Sequence, residues 1–154
     1  MMIIKSIPGG DSSNIINYIC KNSTAKDKEI LSGNPNLSKH IIDNSKFKQN
    51  YYHFTLSENG RTDITKEHWE VILNVFKKEF FHGYDEKEVN SLSVLHDKEH
   101  IHIAVPTMNL LSGKGNYYYN DRTDRKRINL IRDLIHKIDF TDYGLKDIKL
   151  REPS

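Results

Sequence analysis

Cys20 is the only cysteine in the chain. That excludes an internal disulfide and a thiolate zinc cage, and it fits a reducing compartment. No apolar run approaches the roughly 20 residues a transmembrane helix requires, and the start MMIIKSIP lacks the long apolar stretch of a secretory signal. From these absences we expect an intracellular protein of the cytoplasm. Net charge is scarce too, at +2 over 154 residues. Any binding of nucleic acid must therefore rest on where charges sit, not on their sum. What remains, 36% hydrophobic and 29% charged residues, is ordinary for one compact domain with its own core.

Met2 to Ile7 reads as a strand that stops at Pro8-Gly9-Gly10, a strong turn signal. Asp11, Ser12 and Ser13 offer caps for a helix carrying Ile15, Ile16, Tyr18 and Ile19. Residues 23 to 36 read as loop with a short extended piece at Glu29 to Leu31, and 37 to 46 as a short helix. Tyr51 to Ser57, YYHFTLS, has the aromatic and β-branched content of a strand. After a turn at Asn59-Gly60, Thr65 can cap a helix in which Trp69, Ile72, Leu73, Phe76 and Phe80 recur at helical spacing, with Gly83 as its stop. Val89 to Leu95 and His100 to Pro106 pair as a hairpin around Asp97-Lys98-Glu99, and residues 116 to 119 suggest a further strand. A last helix runs from about Asp121 to Lys137, with Ile128, Ile131, Leu134, Ile135 and Ile138 on its apolar face. The expected architecture is α+β: a sandwich of two or three layers with a central, mainly antiparallel sheet flanked by helices. Residues 1–154 show no internal repeat or second domain.

Three of the eight histidines fall in VLHDKEHIHIAVPTMN, residues 94 to 109. Strand residues two apart share a face, so His100, His102 and Ala104 lie on one side and Ile101, Ile103 and Val105 on the other. A three-residue hairpin loop would set His96 directly across from His100, completing a three-nitrogen set. Asp97 stands beside it as a candidate outer-shell orienter. One such histidine would read as a partly buried side chain on a solvated edge. Three on one face point to a divalent ion. A set of imidazoles without thiolate leaves coordination positions open, which suits Lewis-acid chemistry on an oxyanion such as a phosphodiester.

Those histidines leave the nucleophile open. From the residues alone, Tyr18 reads as a helix tyrosine packing among Ile15 and Ile19, and Cys20 as core. The segments MIIKSIPGGDSSNIINYICKN, EILSGNP, VLHDKEHIHIAVPTMNLLSGKGNYYYNDRTDRKR and DYGL, taken in order, resemble the relaxase and mobilisation-nuclease family. The likeness covers roughly residues 2 to 147 and leans toward relaxases of small mobilisable colicin-type plasmids. It implies a metal-dependent, single-strand DNA endonuclease and strand transferase of the histidine–hydrophobe–histidine class. Such an enzyme nicks a plasmid origin of transfer through a 5′-phosphotyrosyl intermediate and so initiates conjugative mobilisation. By the resemblance Tyr18 matches the nucleophile, His100 and His102 the metal-binding pair, His96 the histidine upstream, and Ser57 a DNA-contacting serine. It also implies Mn²⁺ or Mg²⁺ as cofactor, and origin DNA, accessory mobilisation proteins and a coupling protein as partners. Family chains continue past the nuclease region, so 1–154 corresponds to that region of a longer protein or to a minimal member.

A phenol is a weak nucleophile at neutral pH and needs a nearby cation or base, which a metal centre with Asp97 close by could supply. The rival nucleophiles are Tyr117, Tyr118 and Tyr119, which as a strand must divide between two faces. One of them, for which we take Tyr118, could stack on a base. Lys114, Arg122, Arg125, Lys126, Arg127 and Arg132 surround this run. Rings followed by guanidiniums suit a single-strand groove, whereas Asp121, Asp124 and Asp133 among them equally suit a salt-bridged, solvated helix. Two further functions stay open: a rolling-circle replication initiator or transposase-like nickase, and a DNA-binding module without catalysis.

Overall fold

A computed structural model describes residues 2–58 and 64–137 of the chain. The expected Asn59-Gly60 turn, Ile138 and the closing DYGL segment lie outside the described residues. Five strands form one sheet: β1 (Met2–Ile7), β2 (Lys28–Ser32), β3 (Tyr51–Glu58), β4 (Leu92–His96) and β5 (His100–Pro106). Their order across the sheet is β1-β3-β5-β4-β2, and every pairing is antiparallel. Four helices flank it, α1 (Asn14–Asn17), α2 (Pro35–Asp43), α3 (Lys66–Phe80) and α4 (Arg125–His136). The α+β sandwich expected from the sequence is the architecture observed.

Alternation along the strands divides the sheet into two unlike faces. Met2, Ile4, Phe54, Leu56, Leu95, Ile101, Ile103 and Val105 form the first, and α3 and α4 cover it with Trp69, Ile72, Phe76, Phe80, Ile128, Ile131 and Ile135. Phe76 and Phe80 stack at 4.3 Å and both rings meet Phe54, at 5.3 and 4.9 Å. Each such buried side chain contributes about 1.5–3 kcal/mol relative to exposure, so this face carries most of the stability. Of its two helices, α3 is capped at both ends. Thr65 accepts the His68 N–H and the His68 ring accepts the Thr65 N–H, while Gly83 takes φ +92° just beyond the α3 C-terminus.

The second face is smaller and only half covered. Ile16 and Ile19 from the first helical segment and Ile42 from α2 pack on Leu92, Val94 and Ala104. α2 starts at Pro35, earlier than the sequence pattern indicated, because the Asn34 side chain accepts the N–H groups of Asn36 and Leu37 with proline at the first helical position. α1 is shorter than expected and continues as a π-helical turn over Tyr18–Asn22. Toward β1 the covering stops: Ile3, Ile7, Thr55 and Ser57 are half-buried and Lys5 is exposed.

Two expectations are corrected. Residues 116–119 form no strand, because Tyr118 and Tyr119 both turn into the core and break the alternation. The last helix begins at Arg125, not at Asp121. The Asp124 carboxylate accepts the Asn120 N–H and the Tyr117 hydroxyl proton, closing 120–124 as a turn.

Candidate metal centre

The hairpin between β4 and β5 builds the centre. Its loop holds two non-glycine residues in the left-handed region, Asp97 at φ 53° and Lys98 at φ 57°. Each costs roughly 1–2 kcal/mol, and neighbouring elements offset that cost. The Asp97 Oδ1 accepts the N–H groups of Lys26 and Asp27 at 3.0 and 2.7 Å, and the Lys98 carbonyl accepts the Trp69 indole N–H at 2.9 Å. The tight loop sets His96 directly opposite His100, as its length had suggested, while His102 lies opposite Val94.

His96, His100 and His102 present ligand nitrogens that all lie within 4.8 Å of one another. Two of the three rings are oriented by buried partners. His96, 1% exposed, has its Nε2 2.7 Å from the Ile19 carbonyl oxygen. A carbonyl only accepts, so Nε2 carries the proton and the Nδ1 lone pair is free. His102, 8% exposed, has its Nδ1 2.9 Å from Nε2 of His53, which is itself 4% exposed. With the proton on His102 Nδ1, its Nε2 is free to ligate. This is the arrangement that outer-shell partners impose on metal-binding imidazoles. Burial pushes the His53 ring down to about 4 and His102 to about 3, with neighbouring imidazoles adding to the shift; His96 is lowered by burial as well. These rings are therefore neutral at physiological pH, the state a ligand needs. Clustered imidazoles with open lone pairs and no thiolate fit a divalent transition ion.

The sequence did not point to His53. Its signal was the YYHFTLS alternation, but the partner strand had to be known first. β3 pairs with β5 so that Thr55 faces His102 and Ser57 faces His100, which puts His53 on the same face one step along. Asp97, expected beside the ligands as their orienter, uses Oδ1 to brace the hairpin against Lys26 and Asp27. His53 and the Ile19 carbonyl occupy the orienting positions.

Tyr18 opens the π-helical turn, a feature that recurs at functional sites. Ile16 and Ile19 anchor the segment in the core, whereas Tyr18 is 47% exposed and its ring meets His102 edge-on, centroids 6.2 Å apart. It thus stands on the histidine face, not in the core. Cys20 is partly buried against the smaller cluster, and burial raises its thiol.

The residues expected to hold DNA are scattered. Ser57 lies beside the centre, across from His100. Lys114 is exposed in a turn past the Pro106 end of β5, about 20 Å of strand from His100. Tyr118 is fully buried among Tyr52, Phe81 and Tyr84, so it cannot stack on a base; Tyr117 is the exposed member of the run, at 51%. Arg127 is also structural: its guanidinium donates to the carbonyls of Tyr118 and Glu79 and lies 5.0 Å over the Phe80 ring. Arg122, Arg125 and Lys126 are exposed, but they sit at or just before the start of α4, in the layer behind the sheet from the histidines.

Comparison with known proteins agrees with the motif likeness. No family model and no solved structure matches the chain. Among curated proteins it is 25% identical over 142 residues to DNA relaxase MbeA of Escherichia coli, covering 90% of this chain and 26% of that protein. It is 28% identical over 129 residues to cryptic plasmid protein C of Neisseria gonorrhoeae, covering 82% of this chain and 62% of that one. Both similarities support the relaxase and mobilisation family for this chain. It spans about a quarter of the first relative's length and under two thirds of the second's.

Proposed function

We propose that this chain nicks single-stranded DNA at a plasmid origin and carries the cut strand on Tyr18. The observation that supports this best is the placement of an exposed tyrosine ring against His102, on the same sheet face as the three-histidine cluster. In the step, the Tyr18 Oη attacks phosphorus and forms a phosphotyrosyl bond while the bond to the 3′-oxygen breaks. The phenol gives up one proton and the departing 3′-oxygen takes one up, leaving a free 3′-hydroxyl. The exchange of one phosphodiester for another keeps its bond energy, so rejoining needs no ATP.

His96, His100 and His102 would hold the divalent ion, and an all-nitrogen set favours Mn²⁺ over the oxygen-preferring Mg²⁺. Such an ion supplies Lewis-acid polarisation of a phosphate oxygen. The remaining chemistry belongs to the chain. His53 and the Ile19 carbonyl fix two rings, the anchoring of Ile19 holds Tyr18 over the cluster, and Ser57 offers a hydroxyl beside His100. No described helix is long and apolar enough to cross a membrane, which suits a protein that meets plasmid DNA.

The test is an origin oligonucleotide incubated with the protein and Mn²⁺, run on a denaturing gel. A covalent adduct that Tyr18→Phe abolishes is expected. Non-covalent binding with no adduct from the wild type would reduce the chain to a DNA-binding module. An adduct that survives Tyr18→Phe would move the nucleophile elsewhere, with the exposed Tyr117 the first candidate.

A further inference from the structure

The histidine face continues to the outer edge of the sheet. Lys5 on β1 pairs with Thr55, which pairs with His102, so the three lie in one row across two strand spacings, about 10 Å. Lys5 is exposed and has no ion-pair partner among the described residues. β1 is an edge strand, and a groove of about 460 Å³ runs along it against α4, lined by Lys5, Arg125 and Arg132. One carboxylate faces these three cations, Asp121, which accepts the Tyr119 hydroxyl and pairs with Arg125 at 3.7 Å. Arg132 is different. Its Nε is buried without any hydrogen-bond partner and its guanidinium has no ion pair among the described residues. Arg132 lines the groove, and a guanidinium there without a counter-ion among the described residues attracts an oxyanion.

We propose that this edge groove is a second binding site, one that holds backbone phosphates of a DNA single strand as it leaves the histidine face over β1. Lys5 links the two regions, since it belongs both to the row of His102 and to the groove lining. Arg125 thereby acquires a defined place, with Lys5 and Arg132 instead of the neighbours it has in sequence. This rests on the single-strand reading above and adds the path of the strand.

The test is fluorescence anisotropy with a fluorescein-labelled oligothymidylate in EDTA, so that the metal centre contributes nothing, over a series of salt concentrations. Each phosphate contact on a single strand contributes about 0.7 to the slope of log K against log salt. Lys5→Gln with Arg132→Gln should flatten the slope by about 1.4, and Lys5→Arg should retain it. Lys87→Gln, a single charge loss on an exposed turn elsewhere and so the match for Lys5→Gln, should leave it unchanged. Lys5→Gln alone, at an exposed site, gives the same reading in half measure if the double variant folds poorly. A wild-type slope in Lys5→Gln and in the double variant overturns the groove while leaving the nicking centre standing. A wild type with no salt-dependent binding overturns both.

Discussion

Removing the His53 nitrogen while keeping its ring should weaken metal binding without touching a ligand. His53→Phe preserves an aromatic side chain at a 4% exposed position but takes away the acceptor 2.9 Å from His102 Nδ1. The Nδ1–H of His102 is then buried without a partner, at a cost of about 1–3 kcal/mol. The ring can recover a partner only by rotating Nε2 away from the cluster. Loss of an outer-shell partner of this kind lowers metal affinity by about 10–100-fold, equivalent to about 1.4–2.8 kcal/mol. Mn²⁺ binding is measured by calorimetry or by competition with a chromophoric chelator, with thermal unfolding of the metal-free variant as the control for packing. His53→Gln, whose side chain can still accept, should recover part of the loss. If His53→Phe binds Mn²⁺ with wild-type affinity, the hydrogen bond does not orient His102, and the outer-shell role fails.

Tyr18→Phe should leave thermal stability within about 0.5 kcal/mol, as for other exposed positions, and abolish the adduct; a drop in stability together with an intact adduct would return Tyr18 to packing. Trp69→Phe removes the N–H that holds the Lys98 carbonyl at the hairpin tip, so urea unfolding should show a loss of about 2 kcal/mol and Mn²⁺ affinity should fall with it. Arg127→Ala should cost about 1–3 kcal/mol of stability through the lost carbonyl contacts; unchanged stability with weakened DNA binding would restore it to a surface role. In the metal-free protein, His53 and His102 are held neutral at about 4 and about 3, below the unfolded value of 6.5. The unfolded chain therefore binds more protons, and stability should be full above pH 6.5 and fall as pH drops toward 4, by up to about 2.7 kcal/mol per pH unit for two protons. A flat melting temperature over that window would refute the buried-neutral assignment.

Much of the fold could be read from local pattern because the main layers depend on local rules. The spacing of Trp69, Ile72, Phe76 and Phe80 defines a helix face, and the alternation of His100 to Val105 defines a strand with two unlike sides. Failures occurred where a tertiary contact overrides the local pattern. Tyr117, Tyr118 and Tyr119 look like strand residues, yet Tyr118 and Tyr119 are both buried in the aromatic core, which no alternating strand allows. Arg127 looks like a surface cation, yet it serves carbonyls of two other segments. Composition along the chain cannot distinguish a guanidinium that meets a ligand from one that completes a core.

For the site, the histidine cluster was legible and its supports were not. His96, His100 and His102 lie within one hairpin, so spacing and loop length suffice to bring them together. His53 and the Ile19 carbonyl come from segments far away in sequence, and only the pairing of β3 with β5 and the docking of the Tyr18 segment bring them in. The same distinction accounts for the division of labour between the faces. The helix-covered face carries the large aromatic core, which allows the other to keep buried imidazoles, a strained hairpin tip and an uncovered edge without losing the fold. Lys5 shows how far that goes: on the covered face its position would be closed by α4, but one residue out of phase with Ile4 it stays in solvent, in the row of Thr55 and His102.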